Sequence, residues 1–215
     1  MWDRIIIRGK TASFRDPLFM VGLQPSLPVP PPTTVYGLIS AACGELKNID
    51  DFPILYTFSS NGSFFDLEKI HKITDDKSIR SDVIRREILL EPQLTLYVPA
   101  GLGIRFKRSH FPLLLGRSSD LATVVDITYN VELEEVHGEC VIGNGLYQRG
   151  NVNVGEIKVL PIEFSDTAPR RILAMESYCV VKSLIKAEIN VGYVDTSMEN
   201  GIAMQLFSFN TITTG

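Results

Sequence analysis

Three cysteines, three histidines and one tryptophan in 215 residues leave little material for several kinds of chemistry. Cys43, Cys140 and Cys179 are far apart, odd in number and form no CxxC pair, which argues against a disulfide framework and against a zinc site. A reducing cytoplasm is the compartment they fit. His71, His110 and His137 are dozens of residues apart, with no Cys or carboxylate at ligand spacing, so each reads as a structural or surface histidine. No metal and no cofactor is expected. The GxSxG, HExxH, P-loop and GxGxxG patterns are missing, and Gly101-Leu102-Gly103 lacks both the third glycine and a following helix. No apolar run approaches the roughly eighteen residues of a membrane span. The start, Met1-Trp2-Asp3-Arg4, carries an acid and then only three isoleucines, unlike a signal peptide.

A net positive charge is also missing, since 21 Lys and Arg face 25 Asp and Glu. The mean conceals a gradient. Residues 1–117 hold 15 basic and 12 acidic side chains, a surplus of +3, whereas residues 118–215 hold 6 and 13, a deficit of −7. With 45% hydrophobic residues the chain is long enough for one large domain or two small ones.

Residues 2–8 are rich in β-branched side chains and predict a first strand ending at Gly9. Five prolines between Pro25 and Pro32 predict an extended loop that cannot enter a sheet interior. Thr33 or Thr34 then offers a cap, and Val35, Leu38, Ile39 and Ala42 recur at helical spacing up to a stop at Gly44. Asn61-Gly62 between residues 53–59 and 63–73 predicts a β-hairpin. Residues 74–82 are polar and non-periodic; residues 83–90 and 94–98 read as strand, interrupted at Pro92. Strand, helix, hairpin and strand make up most of a ferredoxin-like or RRM-like sheet, an α+β fold whose last helix, after Pro99, is reduced to a loop or a degenerate turn. Residues 124–133 read as strand, residues 171–189 are compatible with helix or strand, and a second, β-rich unit is expected after residue 120.

The basic residues form clusters. Arg4, Arg8, Lys10 and Arg15 lie in the first strand and the loop after it, and Arg4 and Arg8 share a parity that sends both side chains to one sheet face. Lys69, Lys72, Lys77, Arg80, Arg85 and Arg86 follow. The third cluster, Arg105, Lys107, Arg108, His110 and Arg117, has no acid within it. Phe14, Tyr36, Phe106 and Phe111 are interleaved, as stacking of bases over a phosphate-neutralising groove requires. The same pattern also fits solvated charged faces with Tyr36 and Phe111 in the core. Metal-independent RNA cleavage stays open, with His71 beside Lys69 and Lys72 as its compact candidate.

Three blocks carry a resemblance. The run TASFRDPLFMVGLQPSLPVPPPTTVYGLISAACG from Thr11 to Gly44 is similar to the amino-terminal signature of the CRISPR-associated Cas-five family, a RAMP-superfamily group. Arg86-Glu87-Ile88-Leu89 followed by Leu94-Thr95-Leu96-Tyr97-Val98 resembles that family's strand after the thumb, and Pro112 to Asp120 resembles its PLxLGR segment. The blocks span residues 1 to about 122. The resemblance implies a ferredoxin-like/RRM-like domain over residues 1–120, a β-hairpin thumb at about 70–86, and a smaller β-rich unit over 121–215. It implies a non-catalytic, type I-B-like Cascade subunit that caps the crRNA 5′ handle beside Cas-seven backbone subunits and a Cas-eight large subunit, and meets target DNA only indirectly. The RNA-binding residues it implies are Arg8, Lys10, Phe14, Arg15, Tyr36, Lys72, Arg80, Arg85, Arg86, Arg105, Lys107, Arg108 and Arg117. Type I-C members of the family instead cut repeat RNA, and their tyrosine, lysine and histidine constellation has no secure counterpart here.

Overall fold

The computed structural model describes residues 1–19, 22–73, 79–165, 167, 169–199 and 201–208, the side chains of 72, 73, 79 and 80 excepted. Strand β1 (Trp2–Gly9) alternates buried and partly exposed side chains, with Asp3, Ile5 and Ile7 turned inward. A carboxylate on the core face survives because Asp3 accepts hydrogen bonds from the backbone amides of Gly101 (2.8 Å), Gly103 (3.0 Å) and Asn130 (3.2 Å). Two short strands follow, β2 (Thr11–Ala12) and β3 (Leu23–Gln24). Helix α1 (Pro32–Cys43) starts with Pro32 at its first position and no side-chain cap, so a fixed φ replaces the cap expected at Thr33 or Thr34. It ends as the sequence predicts, on Gly44 in the left-handed conformation, φ 81°.

Strand β4 (Leu55–Ser59) is followed by a long hairpin, β5 (Ser63–Ile73) and β6 (Ile79–Leu90), and then by β7 (Gln93–Pro99). This corrects the hairpin expected at Asn61-Gly62: β4 pairs with β7, and β5 pairs with β6 from Ser63↔Leu89 to Ile73↔Ile79. Asn61 and Gly62 instead form the root of the β5–β6 hairpin, where each exchanges one backbone hydrogen bond with Leu90 (2.9 Å each). The hairpin is therefore longer than the expected thumb. A four-residue helix, α2 (Ile104–Lys107), occupies the stretch expected as a loop or a degenerate turn. Short β8 (Leu113–Leu114) leads to β9 (Leu121–Val131), and the remaining strands are β10 (Glu134–Ile142), β11 (Gly145–Gln148), β12 (Glu156–Phe164), β13 (Ile172–Val181) and β14 (Ile185–Val194). The ambiguous span 171–189 thus holds β13 and the start of β14, joined through residues 182–184.

The fold is α+β and mostly antiparallel sheet. A five-stranded sheet has the order β4-β7-β1-β9-β8; β11-β13-β12 and β10-β14 form two further sheets, and β5 and β6 join the small strands β2 and β3. Strand β9, expected in the carboxy-terminal unit, belongs to the first sheet through its pairing with β1. One core joins the inner face of that sheet, α1 and α2 to Leu146, Leu160, Ile162, Tyr178 and Val180 of the later strands. On the opposite face of the sheet, at one end, Trp2, Leu55, Tyr97 and Val131 pack against Met204 and Leu206.

Candidate nucleic-acid interface

Arg4 and Arg8 do share one face of β1, opposite Tyr97 and Gln93 of β7. Their surroundings separate them. The Arg4 guanidinium donates to Asp195 (2.6 Å), Ser197 (2.9 Å) and Thr128 (3.1 Å), and Tyr97 donates its hydroxyl to the same Asp195 (2.9 Å). Burial opposes ionisation of Asp195, but the hydrogen bonds from Ser197, Arg4 and Tyr97 outweigh it and hold the carboxyl below its usual range. That charge is spent inside the molecule. Arg8 remains exposed, its Nε donating to Gln93 Oε1 at 2.7 Å, and Lys10 is exposed beside it.

Arg8 and Lys10 open onto a cleft lined by Ser59, Asn61, Glu91, Gln93 and Thr123. Its one acid, Glu91, accepts from the Asn61 amide at 2.6 Å. Through Ser59 and Gln93 this cleft adjoins a second hollow, where Thr57, Thr95 and Asn144 face Met198 and Ile202. The result is a polar trough with two cations at its mouth. Phosphates suit the mouth, and the hydroxyls and amides suit the edges of bases.

The hairpin supplies a second surface. Register places Phe65, Leu67, Lys69 and His71 on one face with Glu87, Arg85, Val83 and Ser81 opposite them. Arg85 lies over the Phe65 ring, 4.6 Å from its centroid, a cation–π pair that presents a flat cationic platform. Glu87 is turned away, accepting from the Ser26 amide (3.1 Å) and the Ser63 hydroxyl (2.6 Å). Phe65 did not stand out in the sequence, because only the pairing register brings it to Arg85.

Two of the expected contacts, Phe14 and Tyr36, are corrected, and two others, Arg86 and Arg117, stand in ion pairs. Phe14 is 2% exposed and meets Phe58 edge-on at 5.2 Å, so it packs the core and offers no face to a base. Tyr36 is 3% exposed and donates its hydroxyl to the Phe52 carbonyl at 2.7 Å. Arg86 pairs with Glu68 at 2.7 Å. Arg117 pairs with the same Glu68 and, through Nε and Nη2, with Asp120 at 3.0 and 2.9 Å. Burial of Glu68 is outweighed by Arg86 and Arg117, which hold its carboxyl low. These two arginines therefore tie the hairpin to the loop before β9. Arg15 is exposed, and its backbone bridges to Ser26. Lys72 stands opposite Arg80 in the hairpin register, their side chains lying outside the described residues, as does all of Lys77. Arg105, Lys107 and Arg108 are exposed but lie away from the trough, on and just after α2. Among the described residues no group of three or more His, Cys, Asp and Glu is placed to hold a metal ion, and no helix is long and apolar enough to cross a membrane.

No family model matches the chain, and no curated protein matches it. Solved structures do. A chain of a CRISPR RNA-guided surveillance complex aligns with TM-score 0.56 at 15% identity, covering 87% of this chain and 91% of that one. A CRISPR protein from Archaeoglobus fulgidus aligns with TM-score 0.54 at 14% identity, over 97% of this chain and 100% of its own. A chain of the Type III-B Cmr-beta bound to cognate target RNA gives 0.56 at 12% identity, over 85% and 86%. The chain has, over nearly its whole length, a fold that it shares with CRISPR-associated proteins.

Proposed function

We propose that this chain is the subunit of a type I CRISPR effector complex that grips the 5′ handle of the crRNA. The observation that carries the reading is the likeness over 85–97% of the chain to CRISPR proteins, among them chains of an RNA-guided surveillance complex and of an assembly bound to target RNA. In this reading β1, α1, β4, β7, α2 and β9 are the elements of a ferredoxin-like, RRM-like domain, with the spatial order β9-β1-β7-β4, and β5–β6 is its thumb. Cas-seven and Cas-eight subunits are its protein neighbours, in a type I-B-like system, as the resemblance to the Cas-five family implies.

The geometry supports the following mechanism. Arg8 and Lys10 neutralise phosphates of a bent single strand, the hydroxyl and amide groups of Thr57, Ser59, Gln93 and Thr95 meet base edges, and the Arg85–Phe65 platform stacks an unpaired base. The test is anisotropy of labelled handle RNA with wild type and the Arg8→Ala/Lys10→Ala variant across a salt series. The variant is expected to bind more weakly, with the log–log salt slope reduced by about 0.7 per residue removed. Unchanged affinity and slope would overturn the assignment of the trough, and a discrete cut in repeat RNA incubated in EDTA would overturn the non-catalytic reading.

A further inference from the structure

The third basic cluster has a surface of its own. In α2 Phe106 is 3% exposed and anchors the turn in the core, which sends Arg105, Lys107 and Arg108 outward. The turn is fixed in place: Asp3 accepts the Gly101 and Gly103 amides before it, and after it the amides of His110 (3.2 Å) and Phe111 (2.9 Å) donate to the carbonyls of Ala42 and Ala41 at the end of α1. Phe111 is 54% exposed and edge-on to the His110 ring at 4.6 Å. No hydrogen bond or ion pair joins the side chains of Arg105, Lys107 or Arg108 to a carboxylate among the described residues. The neighbouring Lys47 differs, since Glu45 holds it at 2.9 Å.

Position separates this cluster from the trough. Asp3, which holds α2, points to the α1 side of the sheet at the start of β1, whereas Arg8 points to the other side near its end. Five to seven residues of strand, about 20 Å, lie between them, as does the thickness of the sheet. We propose that the α2 turn, with Phe111, is a second site for nucleic-acid phosphates, independent of the Arg8–Lys10 trough. It takes either the continuation of the bound RNA strand or a separate strand, the phosphate diester being the chemistry common to both. Three exposed cations without carboxylate partners beside an exposed aromatic ring suit that ligand. The inference rests on the RNA-binding reading.

Three probes test it on the full chain: a single-stranded RNA of about eight nucleotides, within the usual site size, a longer single strand carrying the same sequence, and a DNA duplex. The Arg105→Ala/Lys107→Ala/Arg108→Ala variant should melt like wild type and bind the short RNA unchanged. It should bind the long RNA or the duplex more weakly, with a log–log salt slope lower by about 2 on the single strand or about 3 on the duplex for three lost phosphate contacts. A loss on the long RNA alone identifies the continuing strand, and a loss on the duplex identifies a separate one. Equal losses on short and long RNA would overturn independence, and no loss on any probe would overturn the site. Should the Arg8→Ala/Lys10→Ala variant match wild type on short RNA while the α2 variant loses the longer probe, the trough fails and the α2 site stands.

Discussion

Replacing Asp195 with Asn tests how the outer face of the sheet is closed. Asp195 is 3% exposed and accepts hydrogen bonds from Arg4, Tyr97 and Ser197, while Arg4 has its side chain 12% exposed and its Nε without a partner among the described residues. Removing the carboxylate charge leaves a nearly buried guanidinium uncompensated, and breaking such a pair costs about 3–5 kcal/mol. Ser197 and Thr128 still accept from Arg4, so the lower end, about 3 kcal/mol, is expected. For a chain of this size that lowers Tm by about 6–12 °C. The sign of the pH dependence follows from the lowered pKa. Asp195 stabilises the fold above its unfolded value of about 3.9 and ceases to do so as pH falls through its folded value, so the gap between wild type and variant should narrow below about pH 4. Calorimetry at pH 7 and pH 3 measures this, and an Arg4→Met/Asp195→Asn double variant should recover part of the loss. A cost under about 0.5 kcal/mol at pH 7, or strictly additive effects in the cycle, would refute the reasoning.

Two further substitutions probe the interior. The Tyr178 hydroxyl is buried without a hydrogen-bond partner among the described residues, so Tyr178→Phe should stabilise the chain by about 1 kcal/mol, read as a higher urea midpoint at unchanged m; a lower midpoint would reveal an acceptor. Gly116 has φ 116° and a Cβ there would lie 2.1 Å from the Ser13 carbonyl oxygen, so Gly116→Ala should cost at least about 3 kcal/mol, read by thermal melting; a cost under about 1 kcal/mol would refute the clash.

Local signals in the sequence were legible where local physics decides. The β-branched run of β1, the glycine stop of α1 and the break at Pro92 between β6 and β7 all sit where the residues predict. Pairing was not legible. Asn61-Gly62 has the residues of a two-residue hairpin turn, yet Ser63 onward pairs with β6 because that register buries Ile84, Ile88 and Leu89. Helical capping misled for a related reason: Pro32 presets the first turn and starts the helix, so Thr33 and Thr34 lie inside that turn, past the cap position at Pro31. Phe14 and Tyr36 were misplaced because an aromatic residue between basic ones looks the same in sequence whether it faces a base or the core.

The basic residues show what distinguishes an available cation from a spent one. Arg117 has Asp120 three residues on, close enough in sequence to expect the pair, and Arg86 and Arg117 share Glu68 from the opposite strand of the hairpin. Arg4 is matched by Asp195 and Lys158 by Asp16, both across more than 140 residues. Part of the acid surplus of the second half is thus used to neutralise the first: Asp195 removes the cation that parity had placed beside Arg8. A nucleic acid competing for Arg4, Arg86 or Arg117 must first displace a carboxylate at hydrogen-bond distance in a partly buried setting, which costs several kcal/mol. Arg8, Lys10, Arg85, Arg105, Lys107 and Arg108 carry no such cost. The charge that matters to a polyanion is therefore carried by cations without carboxylates, and among them Arg8 and Lys10 stand near the end of β1, Arg85 on the hairpin, and Arg105, Lys107 and Arg108 on the α2 turn near the start of β1.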